Sequence, residues 1–307
     1  MKWRDLIAMI EIKDLNKYLG KDKILDDINI HVNKGSIYGL IGPNGAGKTT
    51  LIKNLVDIYK PEKGEVLISG ENIKDNAKIK SRLGYVSDYQ YFYPSFKIHE
   101  IVEFYKDAYP FWSDERYIQL MKLFKLDGNK KIKYLSKGMK TQLAILLSLS
   151  IMPNVLILDE PTSGLDPVVK QKVLNLIVDE VSANETTVLI SSHNLGQLEQ
   201  ICDHIGIIHE GKMLLEDSVE NLKSNVRKIQ VAFKGEFPEE IKSNEHILKI
   251  ETIGKIHQIV VKDNLETVID AIKKCNPILL ETIDMSLEEI FIYKMGVEGY
   301  DFTDIAI

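Results

Sequence analysis

One short run constrains this chain more than any other feature. Residues 42–50 read Gly42-Pro43-Asn44-Gly45-Ala46-Gly47-Lys48-Thr49-Thr50, which fits G-x-x-x-x-G-K-[ST]. Before it, Ser36 to Ile41 is a short apolar run of the kind that forms a buried strand. After it, Thr49 to Ile58 has apolar residues at helical spacing. Glycines in such a loop let the backbone turn its amides inward, and the following helix adds its positive end. The resulting concavity suits phosphate oxygens. Lys48 is placed to reach β- and γ-phosphates, and the Thr49 hydroxyl to bind Mg2+.

The rest of the chain alternates in a way that fits this start. Val155–Leu158, Thr187–Ile190 and Ile205–His209 are strand candidates at helix-like intervals. That alternation predicts an α/β fold with a largely parallel sheet covered by helices. Ile10 to His31 reads as short strands joined by polar turns, and Glu65–Ser69 as a return to strand. Ile98–Ala108, Glu115–Leu126 and Thr141–Ile151 are helix candidates. Near Asn225 the pattern changes. Lys228–Phe233, Ile247–Ile253 and His257–Val261 read as antiparallel strands, with helices at Leu265–Lys274 and Leu287–Lys294. A boundary is expected near 220, dividing 1–220 from a small α+β domain over 221–307.

Two further segments carry chemistry. Val155-Leu-Ile-Leu-Asp159-Glu160 is an apolar strand ending in two carboxylates. Asp159 is suited to hold magnesium through its water shell, and Glu160 to polarise an attacking water as general base. Alone, such an ending is as often a solvated turn; behind a phosphate loop it points to hydrolysis. Leu135-Ser136-Lys137-Gly138-Met139 precedes an apolar helix. Ser136 suits a helix cap. It equally suits a second role, a hydroxyl and free amides offered to a phosphate. The residues by themselves leave both open.

Composition excludes several classes. The net charge is -6 and the lysines are scattered, so no nucleic-acid partner is expected. Cys202 and Cys275 stand far apart without a His/Cys cluster, which reads as two reduced thiols and not a zinc site. The most apolar stretch, Leu143 to Leu158, is interrupted at Pro153 and too short to span a bilayer. Residues 1–10 lack the apolar core and cleavage site of a signal peptide. Any membrane role is therefore expected to come through a partner.

Taken together, the segments resemble the ATP-binding subunit of ABC transporters. The resemblance runs from about Ile10 to Leu215 and includes, in the family's order, Gly42–Thr50, Leu135–Met139, Leu158–Pro161, Ser163-Gly-Leu-Asp166 and Ser191-Ser-His193. It implies a P-loop NTPase fold with a mostly parallel central sheet, an antiparallel β subdomain and a helical subdomain over about 90–150. It also implies hydrolysis of ATP with Mg2+ by two subunits facing head to tail. ATP would lie between the phosphate loop of one subunit and the Ser136–Gly138 element of the other, which favours phosphate contact for Ser136. By the same resemblance Tyr18 stacks on adenine. His193 touches the γ-phosphate and keeps water and Glu160 in place, and Asp166 belongs to a loop passing between subunits. The implied partners are a separate transmembrane permease and a second ATP-binding subunit, identical or related. The implied location is cytoplasmic, peripheral at the inner face of the membrane. Ser286-Leu-Glu-Glu-Ile-Phe291 resembles the end of exporter-branch subunits.

Two departures from the family pattern stand out. Asp88 occupies a position after Gly84-Tyr85-Val86 that usually holds glutamine. Asp88 can still coordinate magnesium through oxygen, and Gln90 is the alternative substitute. Lys137 and Met139 replace the usual Gly and Gln beside Ser136 and Gly138. Hydrolysis is expected to survive both. The aromatic segment from Tyr89 to Trp112 is read mainly as packing, with Tyr91 and Tyr93 exposed for a membrane partner. Two rival readings are a soluble ABC-type ATPase of DNA repair or translation, and a non-hydrolysing nucleotide sensor. No long coiled-coil insertion supports the first. Intact Lys48, Asp159, Glu160 and His193 oppose the second.

Overall fold

The computed structural model describes residues 8–262 and 264–297. Residues 1–7, part of the segment read above for a signal peptide, lie outside the described residues. The chain forms two compact units. One holds the chain to Asn194 together with Ile201–Glu216; the other holds Leu195–Gln200 and the chain from Asp217.

The first unit is built on a six-stranded sheet of order β10-β9-β3-β8-β7-β6. These strands are β3 (Ile37–Ile41), β6 (Leu83–Val86), β7 (Val155–Asp159), β8 (Thr187–Ser192), β9 (His204–His209) and β10 (Lys212–Ser218). From β9 to β6 all neighbours run parallel. Every residue of β3, β7 and β8 is buried, as parallel strands covered on both faces should be. Parallel pairing has one consequence for function. Ile41, Val86, Asp159 and Ser192 all end at the same edge, so residues 42–50, 88, 160 and 193 emerge side by side.

Helix α1 (Lys48–Leu55) follows the loop at once. Its Leu51, Ile52 and Leu55 are buried with Leu25, Ile28, Leu40, Ile157, Leu189 and Ile208 in one core. A second, antiparallel sheet, of order β2-β1-β4-β5, contributes to that core. It comprises β1 (Ala8–Leu19), β2 (Asp22–Asn33), β4 (Lys63–Ile68) and β5 (Glu71–Asn72).

Here the structure corrects the reading of short strands and polar turns over residues 10–31. β1 and β2 are single strands of 12 residues each. Asp14 (φ 48°) and Asp27 (φ 55°) mark bulges within them. The Asp14 N–H donates to Asn29 Oδ1 at 3.0 Å, and the Asp27 N–H to Asn16 Oδ1 at 3.3 Å. Side-chain amides thus replace the missing ladder bonds, and polar residues that look like turns lie inside strands.

Helices α2 (Ala77–Lys80), α3 (Ile98–Ala108), α4 (Asp114–Phe124), α5 (Lys137–Ser150) and α6 (Pro167–Asn184) complete this unit. α5 begins four residues earlier than its apolar spacing suggests, because Ser136 caps it by accepting the Met139 N–H. Arg116 of α4 pairs with the buried Glu180 of α6, which also accepts from Asn184.

The second unit contains α7 (Leu195–Leu198), α8 (Val219–Asn225), β11 (Arg227–Ala232), α9 (Glu239–Lys242), β12 (Ile247–Ile253), β13 (Ile256–Val261), α10 (Leu265–Lys274), β14 (Leu279–Ile283) and α11 (Leu287–Val297). Its sheet has order β12-β13-β11-β14 with antiparallel neighbours throughout. This is the split β-α-β arrangement. Ile229, Val231, Ile259, Val261, Val268 and Ile272 form its core. The Ser286–Phe291 run starts α11: Leu287, Ile290 and Phe291 are buried, and the Leu287 N–H donates to Glu199 Oε2 at 3.0 Å.

One ionic cluster, with a shielded Asp57 side chain and largely exposed lysines, anchors the far end of α1. Asp57 accepts from Lys60 Nζ at 2.6 Å, Lys80 Nζ at 2.5 Å and the Asp75 N–H at 3.0 Å. Burial pushes its carboxyl upward, but these donors outweigh that and hold it from 3.8 down to about 2. The sign follows directly: a depressed carboxylate adds stability above its unfolded pKa and loses it as pH falls toward the folded value. Asp57→Asn should therefore cost about 2 kcal/mol at pH 7. Urea unfolding should show that difference persisting at about pH 5 and shrinking below about pH 4.

Candidate functional site

The loop at 42–50 wraps an open cleft of about 310 Å3 lined by Leu19, Ile24, Pro43, Asn44, Gly45, Gly47, Lys48, Thr49, Thr50, Asp88 and Glu160. Its shape depends on glycine at two points. A Cβ on Gly42 would lie 2.3 Å from the Ile208 carbonyl oxygen. Gly47, with φ 109°, opens α1 in a left-handed conformation that other residues avoid. A larger cleft of about 360 Å3, lined by residues including Lys78, Arg82 and Phe111, contains no residue of the loop. Chemistry, not size, marks the first as the site.

Inside the loop the Lys48 amine donates to the Gly42 carbonyl at 2.6 Å and the Pro43 carbonyl at 3.3 Å. It also stands 3.5 Å from Glu160 Oε1. The lysine is buried and sits between the two groups a triphosphate would bring into play.

The carboxylates at the end of β7 are organised by β8. Parallel register sets Asp159 opposite Ser191. The Ser191 hydroxyl donates to Asp159 Oδ1 at 2.7 Å and accepts the Glu160 N–H at 3.0 Å. That relay holds Glu160 in a left-handed conformation, φ 48°, unusual for a non-glycine residue. Its Oε2 lies 2.9 Å from His193 Nδ1, which as N–H donates to it. In the sequence Ser191 is only part of the Ser191-Ser-His193 motif; its role in joining Asp159 to Glu160 depends on strand register, which no local pattern reports.

Asp159 shows why a cation fits here. Burial raises its carboxyl above the ordinary value, and the nearby Asp88 adds to that; Ser191, Thr49 and Lys48 pull the other way. Its Oδ2 is buried and accepts no hydrogen bond among the described residues. A buried carboxylate with a bare oxygen, next to a threonine hydroxyl, is a donor set for a hard divalent cation. Among the described residues no cluster of three His, Cys, Asp or Glu forms a metal cage. Magnesium held with nucleotide phosphates needs no such cage, since one or two carboxylates suffice.

The structure places the remaining residues as follows. Ala46 is buried beneath the loop. Tyr18 is 40% exposed, one residue before Leu19 on the cleft wall, with Lys23 Nζ 6.0 Å from its ring centre. The Gln90 amide donates to the Ser87 carbonyl, while Asp88 lines the cleft. Asp166 caps α6 by accepting from the Val168 and Val169 N–H groups at 3.1 and 3.0 Å. Ser136 is exposed and Gly138 half-buried; neither lines the cleft, and a Cβ on Gly138 would meet Leu165 at 3.2 Å. Tyr91 and Tyr93 are exposed at 88% and 70%.

Residues 25–163 match the family model described as ABC transporter. The chain is 31% identical to the ABC transporter ATP-binding protein YtrB of Bacillus subtilis, over 94% of this chain and 98% of that protein. It is 38% identical to the bacitracin transport ATP-binding protein BcrA of Bacillus licheniformis, over 72% of this chain and 73% of that one. Its structure is similar to that of a dimeric bacterial ABC transporter cassette, with a TM-score of 0.62 and 25% identity, covering 69% of this chain and 99% of the cassette.

Ser191→Ala tests the relay. It should leave the Glu160 N–H and Asp159 Oδ1 unpaired and cost about 1–3 kcal/mol in chemical unfolding. Phosphate release should fall with it, because Glu160 loses its seat.

Proposed function

Because this chain belongs to the ATP-binding subunits of ABC transporters, we propose that it hydrolyses ATP to ADP and phosphate and drives a separate transmembrane permease in export. The observation that carries hydrolysis is the Glu160 carboxylate, held 2.9 Å from His193 and 3.5 Å from Lys48 at the mouth of the phosphate loop. Lys48 exchanges its loop carbonyls for phosphate oxygens. Glu160 takes a proton from water as the water oxygen bonds to the γ-phosphorus, and the bond to the ADP oxygen breaks. His193 keeps the Glu160 carboxylate turned toward that water. Thr49 and Asp159 would hold magnesium, which would supply positive charge against the charge developing on the phosphates. Tyr18 offers a ring to the adenine.

Ser136 and Gly138 complete the site from an opposing subunit, identical or related. The exposed start of α5 supports this: the Ser136 hydroxyl caps it, yet the first amides of a helix stay open to an anion. The similar cassette is dimeric. Asp166, at the start of α6, lies on the same exposed loop as Ser163 and Gly164. Among the described residues no helix is long and apolar enough to cross a membrane, so transport is assigned to a permease. Exposed Tyr91 and Tyr93 are offered as its anchors at the inner face of the membrane. Export is the direction proposed, on the likeness of Ser286–Phe291 to the end of exporter-branch subunits; one relative is named for bacitracin transport. The ATP-binding domain is taken as residues 1–220, and 221–307 as an accessory domain.

Glu160→Gln provides the test of hydrolysis. Phosphate release should drop by about 100-fold or more, the range for loss of a general base. Equilibrium binding of ATP should change by no more than about twofold, since the loop itself is intact. Release at the wild-type rate would overturn the assignment.

A further inference from the structure

Lys137 stands where a lysine is electrostatically misplaced. It is the first residue of α5, so its charge adds to the positive end of the helix. Its amine lies 3.6 Å from Asp88 Oδ1 and 3.4 Å from Ser163 Oγ of the same subunit. Asp88 in turn belongs to two cavities. It lines the phosphate cleft with Lys48, Thr49 and Glu160. It also lines a separate cavity of about 160 Å3 with Tyr89, Gln90, Lys137 and Lys140. Two of the three positions that depart from the family pattern, Asp88 and Lys137, therefore meet in space. A glutamine at 88 would carry no charge for a lysine, and a glycine at 137 would need none.

We propose that the Asp88 carboxylate is exchanged between Lys137 and the magnesium nucleotide bound by the same subunit, so that loading one site frees Lys137 for the γ-phosphate held by the opposing subunit. This rests on the head-to-tail reading above. The strength of the pair suits exchange. Both side chains are about half exposed, at 54% and 51%, and such pairs are weak. A divalent cation beside Asp159 is the largest local charge and outcompetes an exposed ammonium. Once released, Lys137 is a flexible point charge at a helix start already open to anions, a good match for a phosphate. Ser163 keeps the amine within reach meanwhile. The chemistry of each site thereby reports to the other through one side chain, with no covalent step.

The test uses the full chain diluted enough to remain monomeric, with a slowly hydrolysed fluorescent ATP analogue as the probe. Wild type, D88N, K137Q and the double variant are titrated with and without Mg2+. Freeing Asp88 by K137Q should tighten magnesium-dependent binding by about two- to fivefold. In the D88N background K137Q should have no effect, and without Mg2+ its effect should vanish. A K137Q effect equal in both backgrounds, absent, or of opposite sign overturns the exchange. A second readout needs no substitution. Acylation of the Lys137 amine in wild type, followed by mass spectrometry, should quicken by about two- to fivefold when Mg2+ and nucleotide are added; an unchanged rate overturns the proposal. Failure of wild type to bind the magnesium nucleotide at all would instead remove the ATP reading beneath it.

Discussion

Asp159 and Glu160 place two adjacent carboxylates at the end of a fully buried strand. Burying carboxylates is costly unless donors or cations surround them. Much of this unit answers that cost. β8 supplies the Ser191 hydroxyl, the loop supplies Lys48 and Thr49, and the segment after β8 supplies His193. These groups converge only because β3, β7 and β8 are parallel neighbours that end at one edge. The core beneath, with α1 packed among residues of both sheets, holds that edge still. Fold and chemistry meet in the requirement that the buried Asp159 and the half-buried Glu160 keep their partners.

Much of this was legible in the sequence, for physical reasons. Gly42–Thr50 is a local pattern whose backbone demands are met within the run itself. The buried strands at 155–158 and 187–190 show as short apolar runs because parallel strands have no polar face. Helix α10 matches its apolar spacing end to end. What stayed hidden depends on partners distant in the chain. Asp14 and Asp27 look like turns until Asn29 and Asn16 are seen to satisfy their amides. Ser191 becomes a link between two carboxylates only through sheet register. Asp88 and Lys137 read as two unrelated departures until the fold brings them to 3.6 Å.

Two side chains proposed to meet a partner also serve structure within the chain. Ser136 caps α5, and Asp166 caps α6. Capping does not compete with contact across subunits. A capped helix start is fixed in position, and its remaining amides still face outward. Pre-organisation of that kind lowers the ordering cost of closing a dimer over nucleotide. Under the proposed head-to-tail pairing, the phosphate loop is half of a site that a second chain completes.

That incompleteness can be measured directly by sedimentation of the Glu160→Gln chain, in which bound ATP is retained. With Mg2+ and ATP it should sediment as a dimer and without them as a monomer. Adding Ser136→Arg should restore the monomer while leaving ATP bound at the loop. A chain that saturates with ATP and stays monomeric, or a Ser136→Arg variant that dimerises as readily, would contradict a site shared between subunits.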